Sequence, residues 1–119
     1  MASSNNYYLY IIVNSSLKMS KGKVAAQVGH VVMDVVEYLL SNNIGLYNKY
    51  KYQGGAKIVL QADQNMLLKL SHKSGKSFCV FDAGLTEVAE GSLTCMTFLP
   101  MTKKHQAEHY PEIKSFKLL

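Results

Sequence analysis

The sequence predicts a single α/β domain, and three observations predict it. Runs rich in β-branched and aromatic residues alternate with segments of helical period. That order builds a mixed or largely parallel sheet covered by helices on both faces. Apolar residues make up 48% of the chain and charged residues 18%, the balance of a compact fold rather than a disordered one. At 119 residues the chain can bury one core without disulfide staples.

The elements follow in order. Residues 1–6 read as a short flexible lead-in with no basic-then-apolar leader pattern. Residues 7–13, Tyr-Tyr-Leu-Tyr-Ile-Ile-Val, read as a buried strand. Ser20 is a candidate N-cap for a helix from Lys21 to about Leu40. Val24, Val28, Val31, Val35 and Leu39 form one apolar stripe on it. So many valines make a poor helix by propensity, so packing must hold it. A short helix is predicted over 44–52, a strand over 56–61 and a helix over 64–74. Strands follow at 77–81 and 92–99, and a weak helix at 102–108. Pro100 stops the last long strand.

Charge narrows the partners. The net charge is +5, and all the basic residues are lysines. The first sixty residues carry +4 of that excess. Polyanions are favoured, bound through compact point charges and backbone amides without the planar guanidinium fork. Such binding is strongly salt-dependent. Cys79 and Cys95 each lie in an apolar run and lack metal-ligand spacing. They read as reduced, buried thiols of a cytoplasmic protein. No uninterrupted apolar run reaches the ~20 residues of a bilayer span.

Four constellations could carry chemistry. Lys18, Lys21, Gly22 and Lys23 crowd a strand–turn–helix junction. Free amides and the helix dipole suit an anion there, and lysines at this end oppose the dipole unless one arrives. An ordinary exposed helix start with solubilising lysines has the same pattern. A Walker A loop is excluded, because neither its first glycine nor its Ser/Thr is present. Lys23, Gln27, His30 and Asp34 share one helix face, as either a solvated side or the wall of a site. Asp82 ends a strand, where α/β sheets place ligands, or else begins an Asx-turn. Thr86, Ser92, Thr94 and Thr97 form a hydroxyl set. Thr94 needs a partner for its hydroxyl, and strand alternation puts Thr97 on the opposite side. No HExxH motif, serine triad order or nucleophile elbow is present.

Together these residues resemble the archaeal and eukaryotic, type II, family of peptidyl-tRNA hydrolases. The likeness runs from about Tyr10 to Leu119. It rests on Leu17-Lys18-Met19-Ser20-Lys21-Gly22-Lys23-Val24-Ala25-Ala26-Gln27 with His30, on Asp82-Ala83-Gly84-Leu85-Thr86-Glu87-Val88 with Gly91-Ser92-Leu93-Thr94, and on the weaker strand Gly55-Ala56-Lys57-Ile58-Val59. The resemblance implies a homodimer whose domain, residues 7–119, holds a four-stranded mixed sheet. It implies hydrolysis of the ester joining a peptide to tRNA, without metal or cofactor and away from membranes. Carried over residue by residue, it makes Lys18, Asp82, Thr86 and Thr94 catalytic. It places Lys21, Gly22, Lys23, Gln27 and His30 at the substrate. On this reading Lys18 pairs with Asp82, and Lys21 and Lys23 hold phosphates. Thr94 and Thr86 hydrogen-bond substrate or water.

The chain also departs from the family. Asn14 and Ser16 stand where Arg and Asp are usual, and Gly29 where some members have Ser. Leu99-Pro100-Met101-Thr102-Lys103 replaces a glycine-rich segment. These changes motivate an alternative, a weakened or inactive member acting as an RNA-binding or protein-interaction dimer. A general nucleotide-binding module is a third reading.

Overall fold

The computed structural model describes residues 5–84 and 88–119. Most of the lead-in, residues 1–4, and Thr86 lie outside the described residues. The chain runs β1 (Tyr7–Asn14), α1 (Lys21–Asn42), α2 (Ile44–Tyr52), β2 (Lys57–Ala62), α3 (Gln64–Ser71), β3 (Ser77–Phe81), β4 (Leu93–Phe98), β5 (Met101–Thr102) and α4 (Lys103–His109). A 3₁₀ turn (Pro111–Ser115) and β6 (Lys117–Leu118) close it.

The sheet is mixed, as expected, but has six strands rather than four. Four longer strands lie in the order β3-β4-β1-β2, β6 extends the β2 edge, and β5 pairs with the start of β1. Only β1 and β2 run parallel; the other pairings are antiparallel. The two additional strands are two residues each, too short to show an alternation in sequence.

Helices cover both faces of the sheet. On one, Leu9, Ile11 and Val13 of β1 meet Val31, Val35 and Leu39 of α1 and Tyr50 of α2. On the other, Tyr10 and Ile12 meet Leu67 and Leu70 of α3, with Tyr110 and Ile113 beyond. This alternation along β1 explains why the strand is apolar throughout. By length and composition α1 is apolar enough to cross a bilayer. Its buried stripe packs on the sheet, which offsets the weak helical propensity of its valines.

β4 contains an irregularity that matters for the site. Val80 pairs with Cys95 and Phe81 with Leu93, leaving Thr94 as the extra residue of a bulge. Leu93 and Met96 therefore pack with the α3 layer. Thr94 and Cys95, though consecutive, both reach Gln27 of α1. Thr97 lies opposite Ile11 and Phe78, which belong to the α1 layer. The expectation that Thr94 and Thr97 face opposite sides is thus corrected, because the bulge shifts the alternation by one residue.

Candidate active site

Ser20 caps α1, its Oγ accepting the backbone N–H of Lys23 at 3.1 Å. The cap fixes the first turn and sends Lys23 towards the end of β3. There its Nζ donates to Oδ1 of Asp82, 59 positions away in sequence. Both side chains are largely buried, at 9% and 3% exposure. Asp82 accepts a second bond, 2.7 Å from the amide of Gly84. The Asx-turn and the cleft carboxylate are therefore the same feature. Gly84 sits at φ +80°, and a Cβ there would come within 2.6 Å of the Glu90 Cβ. Glycine is what lets this turn fold back on the carboxylate.

The Lys23 hydrogen bond holds the Asp82 carboxyl below its ordinary value; burial opposes this, and the Gly84 amide and the Lys23 charge reinforce it. Asp82 is an ionised acceptor at neutral pH.

The sequence expectation paired Asp82 with Lys18, and the structure corrects it. Lys18 is exposed in the segment before α1, and among the described residues Asp82 takes Lys23 as its ion-pair partner. Position 23 is within reach because it lies on the helix face turned to β3. Position 18 precedes the cap.

An open cleft of about 780 Å³ surrounds the pair. Gly22, Lys23, Gln27, His30 and Asp34 form its helical wall, and Asp82 and Ala83 the other side. The polar stripe read from sequence lines this open cleft, with Gln27 buried and His30 and Asp34 exposed to solvent. Lys18 and Lys21 are exposed beyond the lining. A Cβ at Gly22 would meet no atom within 4 Å, so this position is open to an incoming group.

Thr94 is fully buried. Its hydroxyl donates to Oε1 of Gln27 at 2.7 Å, with the Val80 carbonyl at 3.2 Å. A direct bond from Thr94 to substrate, as expected from sequence, does not fit this burial; its hydroxyl is engaged by Gln27. Cys95 contributes a second tie, its thiol 3.4 Å from the Gln27 carbonyl. Burial pushes that thiol up to about 12, so it stays neutral.

The two departures at the end of β1 have a local explanation. The Asn14 amide donates to the Leu93 carbonyl and to Gln64 Oε1, at 2.8 and 2.6 Å. Its Oδ1 accepts the Ser16 amide at 2.9 Å, and Ser16 Oγ accepts the Gln64 amide at 2.9 Å. A neutral network therefore joins β1, β4 and α3 at this end of the sheet.

The fold and this cleft define an α/β protein with a lysine–carboxylate site at the carboxyl end of β3. The chain belongs to the family described as "Peptidyl-tRNA hydrolase PTH2", whose model matches residues 7–118. It is 30% identical over 105 residues to human "Peptidyl-tRNA hydrolase 2, mitochondrial" and 33% identical to the bovine protein of that name. Each match covers 84% of this chain and 59% of the relative. It is 32% identical over 101 residues to "Peptidyl-tRNA hydrolase" of Saccharolobus islandicus, covering 77% of this chain and 84% of the relative.

Proposed function

We propose that this chain hydrolyses the ester between a peptide, or an N-blocked amino acid, and tRNA. The observation that carries the reading is the Lys23–Asp82 pair, set in an open cleft at the basic start of α1. In the reaction, water oxygen adds to the ester carbonyl carbon and the bond to the ribose oxygen breaks. A proton from water ends on the released ribose hydroxyl. Asp82 accepts a hydrogen bond from the attacking water and orients it. Its lowered pKa makes it a weak base, so its part is orientation and charge more than full proton abstraction. Lys23 has three donors and spends one on Asp82; a second is free for the developing oxyanion.

Gln27 is the polar wall beside this centre. With Oε1 taken by Thr94, its Nε2 is the donor left for substrate. Lys18, Lys21 and the amides of the first helical turn hold phosphates of the acceptor end, and His30 lies further along the same wall. The exposed Met33 and Leu40, one helical face of α1, and Ile44 supply apolar surface for a second copy, consistent with a homodimer. The two unpaired cysteines suit a reducing, cytoplasmic setting.

The test is turnover of an N-blocked aminoacyl-tRNA at low salt. Lys23→Ala and Asp82→Asn should each lose on the order of 10²–10³ in rate. Normal turnover by both variants would overturn the assignment.

A further inference from the structure

A second cleft, of about 700 Å³, lies at the other end of the sheet. Lys76 precedes β3 and Asp82 follows it, so the two clefts are about 20 Å apart along that strand. The buried Phe98, Met101 and Tyr110 line this second cleft, as do Lys49, Lys76 and His105. No Asp or Glu is among its lining residues.

Both lysines are held in place without being neutralised. Lys49 Nζ sits 5.5 Å from the centre of the Tyr7 ring, and Lys76 Nζ sits 4.9 Å from that of Tyr38. Among the described residues neither has a carboxylate within ion-pair distance. Ring faces orient an ammonium group but leave its charge to be met by something else. Gly75, at φ +105°, forms part of the lining, and a Cβ there would lie 3.0 Å from the Tyr110 hydroxyl. The cleft volume falls within the range of small-molecule sites, and an apolar floor lies beside the exposed Lys49, Lys76 and His105 at its rim.

Pro100, Met101 and Thr102 also line the cleft. β5 pairs that segment with Tyr7 and Tyr8 and so holds the wall in place.

We propose that this second cleft binds a nucleoside phosphate, either free or as one unit of a single-stranded RNA. The phosphate meets Lys49 and Lys76, and the flat base lies over the apolar floor towards His105. The proposal is independent of the hydrolase reading, since it uses none of the residues around Asp82.

The test is a titration of the full chain with adenosine monophosphate and, separately, with a five-nucleotide single-stranded RNA, followed by amide NMR. Shifts should appear at Lys49, Lys76, Thr102 and His105. Saturation by the monophosphate with no gain from the RNA identifies a free nucleotide as the ligand; tighter binding of the RNA identifies a strand. The Lys49→Gln, Lys76→Gln double variant should bind about tenfold more weakly or worse. It should keep its turnover of N-blocked aminoacyl-tRNA under saturating substrate. Shifts confined to the Lys23–His30 wall, or no shifts with either probe, overturn the proposal. The map on the unaltered chain decides the matter even if the variant is unstable.

Discussion

The Lys23 ammonium donates to the Asp82 carboxylate, joining the first turn of α1 to the residue after β3. Lys18, five residues earlier, is exposed and outside the cleft lining. Two lysines in one short motif therefore sit in different surroundings. Lys23→Ala should lower kcat on the order of 10²–10³ with a modest change in KM. Lys18→Ala should mainly raise KM, and the rise should shrink at high salt. Steady-state kinetics at two salt concentrations separates these outcomes; equal kcat losses would return Lys18 to the chemical centre.

Stability should fall on acidification for a stated reason. Folding lowers the Asp82 pKa below its ordinary value of 3.8, chiefly through Lys23. Lys73 does the same to Glu112, whose ordinary value is 4.5. A depressed carboxyl stabilises the fold fully above its unfolded pKa, and that stabilisation is lost as pH falls through the folded value. The urea midpoint should be flat from pH 7 to about 5 and drop below that. Asp82→Asn and Glu112→Gln should each make the drop shallower, as seen in denaturation curves at pH 7, 4 and 3.

Thr94→Val keeps the shape of the side chain and removes the donor to Gln27. A buried acceptor left unpaired costs about 1–3 kcal/mol. The double variant with Gln27→Leu should be less destabilised than the sum of the singles, because the unpaired group is gone. Thermal denaturation of the four proteins gives the coupling. Activity should follow Gln27: Thr94→Val reduces kcat because the amide is no longer held in one orientation.

Gly22 of the cleft wall and Gly84 of the Asp82 turn should behave oppositely. Gly84→Ala forces a side chain into the Glu90 Cβ at a positive φ, and should cost roughly 1–3 kcal/mol while displacing the Asp82 carboxylate. Gly22→Ala meets nothing and replaces glycine in a helix, so stability should rise by roughly 0.5–1 kcal/mol. Its KM for tRNA substrate should increase, since the methyl occupies the approach to the first turn. Melting temperature and KM measured together check both.

Periodicity made the main elements legible. Tyr7–Val13 and the Val31–Val35–Leu39 stripe announce a buried strand and the helix above it. Lys23, Gln27, His30 and Asp34 announced a wall, though not whether water or a ligand faces it. What periodicity could not show was pairing across distance. Lys18 and Lys23 are equivalent as charges in sequence, and only the Ser20 cap and the direction of the first turn separate them. The bulge at Thr94 was hidden because an extra residue leaves the local composition unchanged. The two-residue strands were hidden for want of length, and the second cleft because Lys49, Lys76 and His105 come from three distant segments.

The bulge in β4 has a consequence for how the two layers share the strand. In a regular strand, a change at position 94 would be felt by neighbours whose faces are fixed by the same alternation. Here Thr94 is an insertion relative to β3, while Leu93 and Met96 keep the α3 layer filled. Substitutions at 94 can therefore retune Gln27 without a compensating change in the opposite layer. The strand thus presents two consecutive side chains to α1 at this point without opening a gap in the α3 layer.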